Sequence, residues 1–192
     1  MEIKEGDCLG FSSWDWTGFI INVGTFGIPF FDLSHIGIVS NLDGKEVLFE
    51  STTLYDEPCL VQKKSVSGVQ VHNIQERINS YKGRVYHLPL LEDIDTVKLQ
   101  KYLMDQVGKT YDMIGAFRSA SLVIEKFLNP EELNNIFCSE LCAAAYQDQE
   151  IFRTRYVSCW SPNSLSRELW KRNLRGSRTL LKSSSLFSKG KS

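Results

Sequence analysis

The alternation of apolar and polar positions is clearest between Ser34 and Ser51. Two β-rich runs, His35-Ile36-Gly37-Ile38-Val39 and Glu46-Val47-Leu48-Phe49-Glu50, flank Asn41-Leu42-Asp43-Gly44. Asp-Gly between such runs predicts a two-residue hairpin turn, because the turn needs positive φ and these residues tolerate it. With Asp43-Gly44 as the loop, Leu42 pairs with Lys45 and Gly37 lies opposite Glu50. Side chains alternate between the two faces of a strand. One face of the hairpin then carries Ile36, Ile38, Val47 and Phe49, a core face. The other carries His35, Gly37, Val39, Leu48, Glu50 and Thr52. On that face His35 and Glu50 are diagonal neighbours, with backbone positions ~7–8 Å apart. A slip of one residue would put them on opposite faces.

Weaker signals fill in the rest. Cys8-Leu9-Gly10-Phe11 reads as a short strand after a Gly6-Asp7 turn, Val69 to His72 alternates like a strand, and Gly83 to Leu90 is another that ends at Pro89. Ile74 to Ser80 is a short helix or a turn. Helical spacing of Leu99, Tyr102, Leu103 and Val107 predicts a helix over 93–107, stopped by Gly108. A second helix is expected over 113–128, closed by Pro130. Leu141 to Tyr146, with three alanines in a row, strongly favours a helix, which puts Cys138 on or just before its first turn. A strand is expected within 152–160, and Ser161-Pro162 opens a further helix. Residues 12–34 crowd aromatic and aliphatic side chains into a segment with only two charges, Asp15 and Asp32; they either cap the core or wall a site. Residues 179–192 are rich in Ser and Lys and are expected to be a disordered tail, leaving one domain over 1–178.

Composition narrows the class. The 192 residues, 42% hydrophobic and 23% charged, suffice for one domain with a full core. A net charge of −1 lacks the basic excess of a nucleic-acid binder. Charge is uneven: after Glu168 there is no acid, while Lys171, Arg172, Arg175, Arg178, Lys182, Lys189 and Lys191 follow. That run is either a solvated tail or a weak contact with a membrane or acidic partner. Five cysteines form no disulfide framework or metal knuckle, and no cofactor or metal site is expected. With no secretory signal and no apolar run of ~18 residues, a reducing, cytoplasmic setting is expected.

The candidate chemistry lies in Cys138, His35 and Glu50. A cysteine nucleophile needs a base within hydrogen-bond reach and a partner that orients the base. At a helix start, unpaired N–H groups and the dipole would favour a thiolate and an oxyanion. The alternatives are a core cysteine, a structural histidine and a solvated strand glutamate.

These residues also carry a resemblance. Ser34-His35-Ile36-Gly37-Ile38-Val39, Phe49-Glu50-Ser51-Thr52, Tyr111-Asp112 and Phe137-Cys138-Ser139-Glu140-Leu141, in that order, resemble the permuted branch of the NlpC-type papain-like cysteine hydrolases. This is the YiiX/YebB-like group with its poxvirus relatives, and the likeness covers roughly residues 5–170. It implies an α+β fold, circularly permuted so that the histidine strand precedes the cysteine helix, with an antiparallel sheet packed on that helix. It further implies a thiol-dependent amidase or peptidase acting on a peptide-like or acyl-lysine amide through a thioester. Cys138 would be the nucleophile, His35 the base and Glu50 the third polar member, with Tyr111 and Ser139 as substrate contacts. The lecithin:retinol acyltransferase group shares the histidine-first order, so an acyltransferase or lipid hydrolase is the second reading. Its Asn-Cys-Glu-His-Phe motif differs from the Phe137-Cys138-Ser139-Glu140-Leu141 found here. A non-catalytic binding module is the third.

Overall fold

The computed structural model of the chain describes residues 2–12, 33–52, 57–65, 67–109, 130–154, 157 and 160–183. The expected wall at 14–33 (apart from Leu33), the helix over 113–128, Tyr111 and Cys159 lie outside them.

The fold is α+β. Strands β1 (Cys8–Ser12), β2 (His35–Leu42), β3 (Lys45–Thr52), β4 (Gly68–Asn73), β5 (Arg84–Leu88) and β6 (Thr179–Lys182) form a six-stranded sheet in the order β4-β3-β2-β1-β5-β6. Every neighbouring pair is antiparallel. Helices α1 (Ile74–Ser80), α2 (Thr96–Gln106), α3 (Pro130–Asp148) and α4 (Pro162–Lys171) pack around the sheet. Among the described residues no helix is long and apolar enough to cross a membrane.

The β2–β3 hairpin has the expected register, with Leu42 opposite Lys45 and Ile38 opposite Phe49. Asp43 and Gly44 sit at φ +52° and +80°, and Asn41 Oδ1 accepts the Gly44 N–H at 2.8 Å. Local chemistry also sets the helix starts. Asn73 caps α1 through Gln75 and Glu76, and Asp95 caps α2. Ser161 and Ser164 form a reciprocal capping box on α4, with Pro162 in its first turn.

Two apolar layers result, one on each face of the sheet. The larger joins Ile36, Ile38, Val47 and Phe49 to Leu99, Leu103, Cys138, Leu141 and Leu165, so α2, α3 and α4 cover the predicted core face. The smaller joins Leu9, Phe11, Val39, Leu48 and Val85 to Ile74 and Ile78 of α1. The face carrying His35 and Glu50 is therefore also covered. The short α1 shields it, so Glu50 is fully buried and not a solvated strand residue.

Two sequence expectations are corrected. The helix that holds Cys138 is already formed at Pro130, the first residue of α3. Proline suits that place because its missing N–H is one the first turn cannot use. Cys138 consequently lies well inside α3, not at its start. Its amide belongs to the helical hydrogen-bond ladder, so the N-terminal dipole and free N–H groups expected beside the sulfur are not there. In addition, Thr179–Lys182 is not disordered tail but strand β6, paired with β5. Lys182 Nζ donates to the carbonyls of Ile78, Asn79 and Tyr81 at 2.9, 2.7 and 2.5 Å, closing the C-terminal end of α1.

Candidate functional site

His35 is the first residue of β2, opposite Phe11 of β1. The chain leading to it is fixed from α4: Asn163 Oδ1 accepts the Leu33 N–H at 2.9 Å, and Asn163 Nδ2 donates to the Leu33 carbonyl at 3.2 Å. The Phe11 ring lies 5.5 Å from the imidazole. His35 Nε2 meets Glu50 Oε2 at 2.5 Å, the diagonal contact that the hairpin register predicts. The imidazole is also hydrogen-bonded to Cys138, so the structure brings the three predicted site residues together. Their exposure differs: Cys138 and Glu50 are fully buried, whereas the His35 side chain keeps 13% of its surface open.

Glu50 is held by more than His35. Arg77, from α1, donates Nε to Oε1 at 2.7 Å and Nη2 to Oε2 at 3.3 Å. His72, from β4, meets Oε1 through Nδ1 at 2.7 Å, and its Nε2 faces Gln70 Oε1 at 3.1 Å. Sequence reasoning missed both. The alternation in β4 put Gln70 and His72 on one face, but no tight turn fixed the register of β4 on β3, where Gln70 pairs with Glu50. Arg77 sat in a segment read only as helix or turn.

Electrostatics follow from this packing. Burial alone would push the His35 pKa down; the charge of Cys138 and its hydrogen bond to the ring, then the hydrogen bond and charge of Glu50, override it and raise the pKa to about 9. Burial would raise the Glu50 carboxyl, but Arg77, His35 and His72 outweigh it and hold it well below the ordinary carboxylate range. Nearby Cys142 differs: burial and its hydrogen bond to Cys8 push its thiol well up. Ser139, an expected substrate contact, is buried, and its hydroxyl donates to the Trp160 carbonyl. About two turns further along α3, Tyr146 donates to the Gly6 carbonyl at 2.7 Å and lies 3.0 Å from Cys8 Sγ, tying the cysteine helix to β1.

No protein-family model matches the chain. No curated protein matches it either. Solved structures do: the crystal structure of the metalloprotein YiiX from Escherichia coli O157:H7 is similar, with a TM-score of 0.49 and 19% identity over 78% of this chain and 67% of that one. The likeness is distant and concerns the fold. YiiX is described as a metalloprotein. The amidase, peptidase or thiol-protease activity expected from the motifs is corrected on the structure of α3 itself. The interior position of Cys138 in α3 removes the oxyanion-binding N–H on which that expectation relied.

Among the described residues no group of three or more His, Cys, Asp or Glu side chains could hold a metal ion. The reason is visible at Glu50, whose two oxygens are occupied by His35, His72 and Arg77, and at His72, both of whose nitrogens are engaged.

Proposed function

We propose that the protein is a binding module built around a charge-paired thiol. A small ligand with a soft electrophilic carbon enters past the partly open His35 ring and bonds to Cys138 Sγ. A sulfur lone pair forms the S–C bond, and the imidazolium proton moves to the atom that receives the displaced electron pair. Glu50 keeps the ring in place throughout. The observation that carries this reading is the hydrogen-bonded row Cys138–His35–Glu50, with the His35 ring as its partly open member. An imidazole hydrogen-bonded to the sulfur on one side and to a carboxylate on the other is placed to take the thiol proton as the sulfur reacts. The four described cysteines form no disulfide, which supports a reducing compartment, the cytoplasm, as the setting.

Alkylation with iodoacetamide tests the proposal. Cys8, Cys59, Cys138 and Cys142 are equally buried, so exposure does not favour any of them. Mass spectrometry should show Cys138 modified first near neutral pH, with the preference lost in His35→Ala. Equal rates at the four sulfurs would overturn it.

A further inference from the structure

The Glu50 carboxylate serves two sides at once, and this bears on the charge pair proposed above. Oε2 lies between His35 Nε2 and Arg77 Nη2, and Oε1 lies between His72 Nδ1 and Arg77 Nε. The Arg77 guanidinium spans both oxygens, a two-pronged geometry that fixes direction as well as charge. It is itself walled in: its Cζ lies 4.9 Å from the Phe11 ring centre and 5.5 Å from that of Tyr81. Phe11 is the same ring that lies against His35. We infer that Arg77 is the positioning residue that keeps Glu50 charged and aimed at His35, and that the Cys138–His35 ion pair depends on it. The inference rests on reading Cys138 and His35 as such a pair.

A count of charges gives the direction. In the ion-pair state proposed above, with Arg77 present, two cations (Arg77 and protonated His35) would face two anions (Glu50 and a Cys138 thiolate). Without Arg77, a carboxylate and a thiolate share one imidazolium in a buried site. Such a site takes up a proton rather than bear the excess charge. If the proton goes to Cys138, the thiolate is lost directly. If it goes to Glu50, His35 loses its carboxylate and returns its own proton to sulfur. Either route lowers the thiolate population near neutral pH. Among the described residues, the elements around the site supply Cys138 from α3, Glu50 from β3, His72 from β4 and Arg77 from α1, while β1 supplies the apolar Phe11. Glu57 and Tyr81 also act on Arg77, both favouring its charged form.

The test follows the pH at which Cys138 alkylation reaches half its maximal rate, together with ultraviolet thiolate absorbance corrected with Cys138→Ser. Arg77→Met should move that midpoint upward by about one pH unit or more and slow alkylation at neutral pH about tenfold. Arg77→Lys keeps the charge but loses the fork, and should shift it less. In a Glu50→Gln background, Arg77→Met should add nothing, because Arg77 acts through the carboxylate. A purely structural arginine would lower stability without moving the midpoint. An unmoved midpoint in folded Arg77→Met, or the same shift with Glu50 already replaced, overturns the inference. If Arg77→Met does not fold, an unmoved midpoint in Arg77→Lys overturns it. His35→Ala separates the two claims. If it leaves the midpoint in place, the charge-pair reading fails; if it moves the midpoint and the Arg77 variants do not, only the role of Arg77 fails.

Discussion

Exchanging Glu50 for glutamine keeps the shape of the side chain and removes its charge. In the folded protein Glu50 and Arg77 are both buried, and they meet at 2.7 and 3.3 Å. Removing one member of such a pair strands the other charge away from water and costs about 3–5 kcal/mol. Two features place Glu50→Gln near the lower end. The glutamine oxygen still accepts one Arg77 N–H, and the His35 imidazole can lose its proton to relieve the unbalanced charge. The expected loss is therefore about 3 kcal/mol, set against a total of about 5–15 kcal/mol for a domain of this kind. Urea unfolding followed by tryptophan fluorescence at neutral pH measures it, with an unchanged dependence on denaturant showing that the folded state is retained. The pH dependence gives a second arm. Because the folded Glu50 pKa lies well below the ordinary 4.5, its contribution is present above that value and is lost as pH falls through the folded one. The gap between wild type and Glu50→Gln should therefore close in acid. A loss below about 1 kcal/mol, the scale of an exposed ion pair, or a gap that does not narrow in acid, would refute the view of Glu50 as a buried, ionised hub.

Two further predictions follow from the same geometry. The folded His35 pKa is raised from 6.5 to about 9, so its contribution to stability is fully present below 6.5 and is lost as pH rises through about 9. Urea midpoints across that range should fall for wild type and stay flatter for His35→Gln; parallel curves would show that the ring gains no proton affinity on folding. Lys182 closes the end of α1 through three carbonyls, so Lys182→Met, or truncation after Arg178, should cost about 1–3 kcal/mol. A Tm equal to that of the full chain would show that β6 is a passive appendage.

Local rules accounted for the hairpin and for the pairing of His35 with Glu50. Asp43-Gly44 allowed one turn, the turn allowed one register, and strand alternation put both side chains on the same face. The α4 start at Ser161-Pro162 was legible for the same reason, since its capping groups are neighbours in the chain. The start of α3 was misread, although the signal was present: Pro130 suits a helix end and a helix first turn alike, and propensity alone does not choose between them. That one ambiguity moved Cys138 from a helix start to a helix interior and removed the basis for the expected chemistry. β6 was hidden because four residues with a single pairing partner carry little periodic signal, and the polar composition around them pointed to disorder.

The sequence by itself determined which residue types sit on each face of the hairpin, because that depends on interactions spanning only a few residues. Only the tertiary structure decided what covers the His35 face and what neutralises Glu50. His72 and Arg77 lie 22 and 27 residues from Glu50 in the chain. Their approach is set by how β4 aligns on β3 and how α1 folds back over the sheet. Those placements are fixed by burial of apolar surface summed over many residues, a quantity that no short stretch of sequence contains.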